Sequence, residues 1–220
     1  MAASFEYGFT LPNGTRIVHG EGAQRKSALP PETNISGTMS VYNSGHTMDP
    51  STPRFCGPQG YFHFDTDTRM PRHIHLSSTA SDYNQRFIVE KIFVPYGVAL
   101  VELCGQVYVI PPRTLVLIAP GVPHTWTACP AGLNVSEALS LEEEDEEVIS
   151  SGEFMAVYEY EDATGFFPTA QMGRLNDPRD YVKCEDLHSI RIPQYNVEDV
   201  LKDALFVWGT SVRKAAGNEP

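Results

Sequence analysis

Short runs in which apolar and polar residues alternate recur through the middle of the chain and are separated by turns. Since successive side chains of a strand point to opposite faces, each run predicts a strand with one buried face. Cys104-Gly105-Gln106, between two such runs, predicts a hairpin turn because glycine adopts a positive φ without steric cost. The predicted strands cover residues 61–65, 72–77, 86–95, 98–103, 106–110, 114–119 and 154–160.

The two ends of the chain have different patterns. Residues 1–54 are rich in Gly, Pro, Ser, Thr and Asn, and we interpret them as an arm of short strands and loops that wraps the core or a neighbouring subunit. Residues 197–207 have apolar side chains at helical spacing after Asn196, a residue suited to an N-cap, so they predict a helix. Without an internal repeat, the chain is predicted to be one all-β domain over residues 55–170, with a C-terminal extension over residues 171–220 that contains the helix.

Three histidines occur where strand geometry gives them a defined direction. His73 and His75 lie two apart in a predicted strand, so both imidazoles point to one face and can share a metal ion. His124 directly follows the turn Pro120-Gly121-Val122-Pro123, which fixes where its side chain points. His63 is interpreted as a cavity-lining or structural residue rather than a ligand.

A carboxylate joins these histidines. In the predicted strand 86–95, alternation places Glu90 on the same face as Ile88 and Ile92. An unpaired charge on an apolar face is costly, so the group is expected to be protonated or paired with a cation or metal.

These residues resemble the two motifs of the cupin superfamily, G(x)5HxH(x)3-4E(x)6G and G(x)5PxG(x)2H(x)3N. The matching parts are His73-x-His75, Glu90-(x)6-Gly97 and Gly121-(x)2-His124. The resemblance spans roughly residues 55–130 and implies a jelly-roll β-barrel of the RmlC-like, single-domain kind. It also implies a metal site with His73, His75, Glu90 and His124 as the ligands.

Several positions depart from the family pattern. About fourteen residues separate His75 from Glu90, and residues 77–85 form a polar insertion between two strands. Arg113, Ala119 and Ala128 occupy the positions of the first glycine, the first proline and the final asparagine of the second motif. Glu102 is an alternative carboxylate ligand, although the spacing to Gly97 favours Glu90.

Three imidazoles and one carboxylate suit a divalent transition metal, with Fe(II), Mn(II), Ni(II), Zn(II) and Cu(II) all chemically suitable. Fe(II) is expected because the chain resembles quercetinase-like cupins that act on aromatic or polyketide-derived compounds. Its composition also resembles small fungal cupins of secondary metabolism. The neighbouring aromatic residues, with Phe166-Phe167 downstream, suit a cavity for an apolar substrate, whereas ordinary core packing is the alternative for each. The predicted substrate pocket contains Phe62, His63, Phe64, Phe93 and Trp126.

The resemblance implies a metal-dependent oxygenase, an Fe(II) dioxygenase in which Glu90 holds charge or takes a substrate proton as general base. One alternative is an isomerase, cyclase or lyase that uses the same His and Glu residues without O2. Another is a non-catalytic barrel that binds a small molecule. The fold by itself does not choose among these functions.

Composition restricts the partners. The 220 residues are 41% hydrophobic, enough for a core, and carry a net charge of −12, which argues against a nucleic-acid partner. No signal peptide is visible and no apolar run has the length of about 18 residues that a membrane span needs. The four cysteines form no CxxC pair, which favours reduced thiols. We expect a cytoplasmic protein that binds a small molecule and, like many cupins, forms a homodimer.

Overall fold

The structure is a computed structural model that describes residues 8–27, 38–42, 55–77, 85–142 and 147–217. Strands dominate these residues, with two short α-helices, α1 (Val135–Ala138) and α2 (Val197–Asp203), and 3₁₀ turns at Gly20–Gly22 and Pro178–Asp180. The strands are β1 (Phe9–Thr10), β2 (Arg16–His19), β3 (Gln24–Ser27), β4 (Thr38–Val41), β5 (Gln59–Asp65), β6 (His73–Ile74), β7 (Glu90–Gly97), β8 (Ala99–Leu103), β9 (Gln106–Ile110), β10 (Thr114–Ile118), β11 (His124–Ala128), β12 (Glu153–Tyr160), β13 (Phe167–Pro168), β14 (Leu205–Trp208) and β15 (Ser211–Arg213).

Two sheets face each other and form the predicted all-β jelly roll. The first has the strand order β1-β2-β10-β7-β12-β5, and the second has the order β13-β6-β11-β8-β9-β14-β15. Neighbouring strands are antiparallel except β14 and β9, which are parallel. Strands β3 and β4 pair separately.

The main core lies between the inner faces of the two sheets. Along β7 the alternation is visible, since Glu90, Ile92 and Val94 are buried while the residues between them are half-buried. Phe154 on β12 and Trp126 on β11, from opposite sheets, have ring centroids 6.2 Å apart and belong to the same apolar cluster. Burial of such large aromatic side chains supplies much of the hydrophobic stabilisation of the two-sheet arrangement.

A second apolar cluster covers the outer face of the second sheet. Leu100 and Val109 point outward from β8 and β9 and pack with Val135 of α1 and Val200 of α2. Strand β8 is therefore buried on both faces, which explains why its sequence, Ala-Leu-Val-Glu-Leu, reads as an almost continuous apolar run.

The predicted strands of the core are found, with different ends in two places. The segment 72–77 contributes only the short β6, because Leu76 and Ser77 form single bridges to Phe87 and Thr164 instead of a ladder. Strand β7 starts at Glu90 rather than at residue 86. The turn at Cys104-Gly105 has φ values of 51° and 81°, the positive pair that a two-residue hairpin requires.

The predicted helix over 197–207 is correct at its start and wrong at its end. Asn196 caps the helix in a reciprocal arrangement with Asp199, and α2 then ends at Asp203. Leu205–Trp208 forms strand β14 beside β9. Both faces of this strand are buried, so nearly all of its residues are apolar. In the sequence they continue the helical pattern of α2, and the boundary between helix and strand is therefore not visible.

The outer parts of the chain contribute strands to both sheets. Strand β2, from the predicted arm, pairs with β10, and β14, from the predicted extension, pairs with β9. The boundaries at residues 54 and 170 stay predictions. Most of the polar insertion and the middle of the acidic run 142–147 lie outside the described residues. In the described part of the chain, no helix has both the length and the apolar character that crossing a membrane requires.

Candidate metal centre

His73, His75 and His124 come together at one end of the second sheet. His73 pairs directly with His124 across β6 and β11, and their ring centroids are 4.3 Å apart. The centroid of His75 lies 4.9 Å from that of His73 and 5.3 Å from that of His124. All three side chains are buried. Alternation along residues 73–75 and the turn before β11 therefore bring three imidazoles to one point, as the sequence predicts.

The turn before His124 depends on glycine. Gly121 has a φ of +73°, and a Cβ atom there would lie 2.1 Å from the carbonyl oxygen of Leu175. No other residue fits this position without moving the neighbouring segment. The Gly121-(x)2-His124 spacing thus has a physical cause, since the turn sets the start of β11 and the direction of its first side chain.

Glu90 reaches the histidines from the opposite sheet. As the first residue of β7 it points inward, and its Oε2 lies 2.9 Å from Nε2 of His124 and 3.4 Å from Nε2 of His75. Glu90 and Gly97 are the first and last residues of β7, so the length of this strand accounts for the spacing between them. Gly97 has a φ of +74°, and a Cβ there would lie 2.1 Å from the carbonyl oxygen of Glu153.

Backbone carbonyl groups fix the protonation pattern of the three rings. In each imidazole Nδ1 faces a carbonyl oxygen, and because such an oxygen can only accept, Nδ1 must carry the proton. The Nε2 lone pairs are then directed away from these contacts, as in metal-ligating histidines. The contacts join His73 to Pro71 at 2.9 Å, His75 to Gly165 at 3.1 Å and His124 to Val122 at 2.9 Å.

The inner atoms of the cluster lack hydrogen bonds. Nε2 of His75, Nε2 of His124 and Oε2 of Glu90 are buried without a partner of hydrogen-bond geometry, although they lie close together. Buried acceptors this close repel one another unless a cation lies among them. The four candidate ligand atoms lie within 4.8 Å of one another. Ligands about 2.0–2.2 Å from a shared ion are at most about 4.4 Å apart, so a divalent ion fits after small shifts.

Burial controls the charge state of the cluster. It lowers the pKa of His73 well below its usual value, and the neighbouring His124 and His75 lower it further. Burial also opposes ionisation of Glu90, but the neighbouring imidazoles of His75 and His124 outweigh this effect and hold the pKa of Glu90 well below its usual range. Neutral imidazole and ionised carboxylate are the forms that bind a metal ion.

Glu102, the alternative carboxylate, lies away from the cluster. Its Oε1 accepts a hydrogen bond from Nε of Arg72 at 2.7 Å, and both side chains are largely buried. Since alternation turns Arg72 away from the face of His73, this ion pair lies on the other side of the strand. The structure thus groups Glu90, and not Glu102, with the histidines.

An aromatic cavity of about 240 Å³ opens beside the cluster. His73 and Glu90 form part of its wall, and the remaining side chains are mainly aromatic. The lining residues are Phe62, Phe64, Met70, His73, Glu90, Ile92, Trp126, Tyr158, Tyr160 and Phe166. Three residues of the predicted pocket, Phe62, Phe64 and Trp126, are therefore at the cavity.

Strand alternation places the other two predicted pocket residues elsewhere and corrects the pocket. His63 lies between Phe62 and Phe64 on β5 and points outward, where its Nε2 is 3.4 Å from the exposed carboxylate of Glu153. Phe93 lies on the outer face of β7 and packs edge-on against Tyr42, with ring centroids 5.5 Å apart. Neither residue is among those that line the cavity.

Two aromatic residues of the cavity, Tyr158 and Tyr160, were not predicted. The available signal was their spacing of two in the predicted strand 154–160, which places both on the face of Phe154. Tyr160 pairs with Glu90 across β12 and β7, and its ring centroid is 4.6 Å from that of His75. Burial and the nearby charge of Glu90 raise the pKa of Tyr160, so its hydroxyl keeps its proton.

No protein-family model matches the chain, and no curated protein sequence matches it. Similar solved structures include a cupin 2 domain-containing protein from Halorhodospira halophila, which has 15% identity, a TM-score of 0.34, and coverage of 69% of this chain and 77% of that chain. A dTDP-6-deoxy-D-glucose-3,5-epimerase RmlC from Legionella pneumophila Philadelphia 1 has 11% identity, a TM-score of 0.43, and coverage of 86% and 97%. A dTDP sugar isomerase from Desulfovibrio desulfuricans G20 has 10% identity, a TM-score of 0.40, and coverage of 80% and 95%.

The strand order of the two sheets and the placement of the three histidines and Glu90 between them agree with the resemblance to the cupin superfamily. The described strands form an all-β fold of two facing sheets. The buried cluster between them could hold a metal ion.

Proposed function

We propose that this chain is a metal-dependent oxygenase, with Fe(II) as its metal and an aromatic or polyketide-derived small molecule as its substrate. The supporting observation is that two of the four candidate ligands, His73 and Glu90, form part of the wall of a cavity whose other side chains are mainly aromatic. His73, His75, His124 and Glu90 hold the metal in this proposal, which leaves coordination positions for small oxygen ligands.

A redox-active divalent ion in this cluster supplies a Lewis acid and an electron source for O2. The chain itself orients the substrate and excludes water. Phe62 and Phe64 have ring centroids 4.6 Å apart and provide an apolar wall, and Trp126 provides another. Tyr160, which keeps its proton, can donate a hydrogen bond to a substrate oxygen near Glu90.

The size of the cavity restricts the substrate further. Its volume of about 240 Å³ is below the range of about 300–1,000 Å³ that is usual for sites of drug-sized ligands. We therefore propose a compact ring compound that carries an enol or phenol oxygen. The apolar wall binds the ring, while the oxygen faces His73 and Glu90.

An isomerase, cyclase or lyase is the second candidate, and one observation favours it. Tyr160 lies directly beside Glu90 across β12 and β7, and both line the cavity, so a hydroxyl donor and a carboxylate acceptor are adjacent there. Such a pair can move a proton between two substrate atoms without O2.

A non-catalytic binding barrel, the third candidate, requires neither O2 nor proton transfer. The cytoplasmic location and the homodimer stay predictions.

The deciding experiment reconstitutes the protein with Fe(II) and supplies catechols and cyclic 1,3-diketones under ¹⁸O₂. The oxygenase predicts O2 uptake and incorporation of both labelled atoms into the products taken together. A product of unchanged mass, formed equally well without O2, supports the isomerase class instead, and unaltered ligand after long incubation supports a binding barrel.

A matched pair of variants accompanies this assay. His73→Ala is expected to lose both metal and O2 uptake, because it removes a ligand candidate from the cavity wall. His63→Ala removes an exposed histidine outside the cavity and is expected to keep both. Equal metal content in the two variants contradicts the proposed site.

A further inference from the structure

The three imidazoles of the cluster are not held in the same way. Two of them bind carbonyl groups two residues earlier in their own segments, Pro71 for His73 and Val122 for His124. The third, His75, binds the carbonyl oxygen of Gly165, 90 residues away along the chain. The orientation of His75 therefore depends on the position of a separate loop, whereas the other two orientations are local properties of their segments.

The loop that holds Gly165, residues 161–166, connects β12 to β13. At its start, Glu161 and Asp162 bind the guanidinium of Arg86 at 2.8 Å and 3.2 Å. Immediately before Gly165, the hydroxyl of Thr164 donates to the carbonyl oxygen of Leu76 at 2.7 Å. After the loop, Phe167 pairs with Ile74 in the second sheet. The tip, Gly165 and Phe166, lies between these two attachments and is exposed to solvent.

Phe166 connects the same tip to the cavity. Its ring centroid is 4.4 Å from that of His73, and it lines the cavity although 46% of its surface is exposed. An apolar side chain that is half exposed and half inserted forms part of the cavity mouth. Two adjacent residues of one loop thus contact two different candidate ligands, Gly165 through its carbonyl and Phe166 through its ring.

We propose that residues 164–166 act as one positioning unit: the Gly165 carbonyl holds His75 in its metal-binding orientation, and Phe166 closes the cavity beside His73. A displacement of the tip then weakens metal binding and opens the cavity at the same time. The size of the group at position 166 also limits the substrates that enter. This inference rests on the metal site of the proposed function, but not on its oxygen chemistry.

The first test observes the imidazole Nδ1 protons by NMR in metal-free and in Zn(II)-loaded protein labelled with ¹⁵N-histidine. Thr164→Val removes the hydroxyl that holds the loop to Leu76, and Phe166→Ala removes the ring at the tip. In both variants we expect the Nδ1 proton of His75 to exchange with water at least tenfold faster. In Thr164→Val the corresponding protons of His73 and His124 are expected to be unchanged because their carbonyl partners are local. Phe166→Ala also uncovers the ring of His73, so in that variant only the proton of His124 is expected to be unchanged.

The second test measures Zn(II) release to EDTA. Loss of a group that orients a metal ligand typically weakens metal binding by about 10–100-fold, so both variants are expected to release Zn(II) about tenfold faster. If the loop acts as a unit, the effects of the two changes in the double variant are not additive. Met172→Ala, which shortens an exposed apolar side chain outside the loop, is the control and is expected to behave as the wild type.

Equal acceleration of all three imidazole protons, or none for His75, overturns the positioning role even if Zn(II) binds well. Additive effects on Zn(II) release overturn the single unit. If the protein binds no Zn(II), the proposed function fails, whereas the NMR comparison in the metal-free protein still decides whether the loop positions His75. The two failures are therefore distinguishable.

Discussion

Glu90 and Glu102 offer a direct test of which buried carboxylate binds the metal. Both carboxyl groups are almost completely buried, but Oε2 of Glu90 faces two Nε2 atoms at 2.9 Å and 3.4 Å, whereas Glu102 binds Arg72 at 2.7 Å. Glu90→Gln preserves the shape of the side chain and removes the negative charge of the candidate ligand set. Glu102→Gln makes the same chemical change outside that set.

The expected magnitude follows from the linkage between binding and unfolding. At a free Zn(II) concentration 100 times its Kd, binding stabilises the wild type by about 2.7 kcal/mol. For a chain of this size, that free energy raises Tm by about 5–10 °C. If loss of the charged ligand weakens binding by about 100-fold, the same Zn(II) concentration stabilises Glu90→Gln by only about 0.4 kcal/mol, or about 1–2 °C.

The assay is thermal unfolding with EDTA or with Zn(II), which needs no substrate and no redox chemistry. Glu102→Gln is expected to lower Tm in EDTA, because it leaves Arg72 without a charged partner in a buried position. Its Zn(II)-dependent increase should equal that of the wild type. A full Zn(II) increase in Glu90→Gln, or its loss in Glu102→Gln, would refute the ligand assignment.

Three further predictions concern stability. Burial, with the charge of Arg113, lowers the pKa of His19 to about 4, so the unfolded chain binds a proton at His19 more tightly than the folded chain does. The contribution of neutral His19 to the free energy of unfolding is therefore complete above about pH 6.5. It falls by at most about 3 kcal/mol as the pH drops to 4. His19→Asn, which keeps an acceptor for the Gly209 N–H, should reduce this dependence in urea unfolding at pH 4–7, and an unchanged slope would contradict the cause. Gly121→Ala should lower the free energy of unfolding in urea by at least about 2 kcal/mol, because its Cβ meets a backbone oxygen at 2.1 Å, whereas Gly173→Ala, with open space around its Cβ, should not. Phe154→Ala should lower that free energy by about 3–5 kcal/mol in the same assay because it empties the middle of the core, and a loss below about 1 kcal/mol would show that the two sheets do not pack on this ring.

Local periodicity was sufficient for much of the fold. Side chains that alternate along β7 and β12 must face in and out, so the inward direction of Glu90 followed from its neighbours. The hairpin at Cys104-Gly105 and the cap at Asn196 were also readable, because each depends on two to four adjacent residues. The pattern failed at β14, which is buried on both faces and directly follows the helix α2, since a continuous apolar run has no distinguishing period there.

The candidate site shows the same division between local and distant information. The spacings of His73, His75 and His124 follow from strand pleat and from one glycine turn, and they are visible in the chain. Phe93 and His63 lie outside the cavity, because nearness to a motif in sequence does not determine which face of a strand a side chain occupies. Only the register between β12 and β7 brings Tyr160 to Glu90.

The strand alternation, the turn glycines and the three histidines able to bind a metal are readable from the chain alone, because these features depend on neighbouring residues. The fold was needed to show which buried carboxylate joins the histidines, which aromatic rings form the cavity, and that the Gly165 carbonyl contacts His75. Such contacts join residues far apart in the chain. Their geometry is set by how the two sheets pack, and no local pattern encodes that packing.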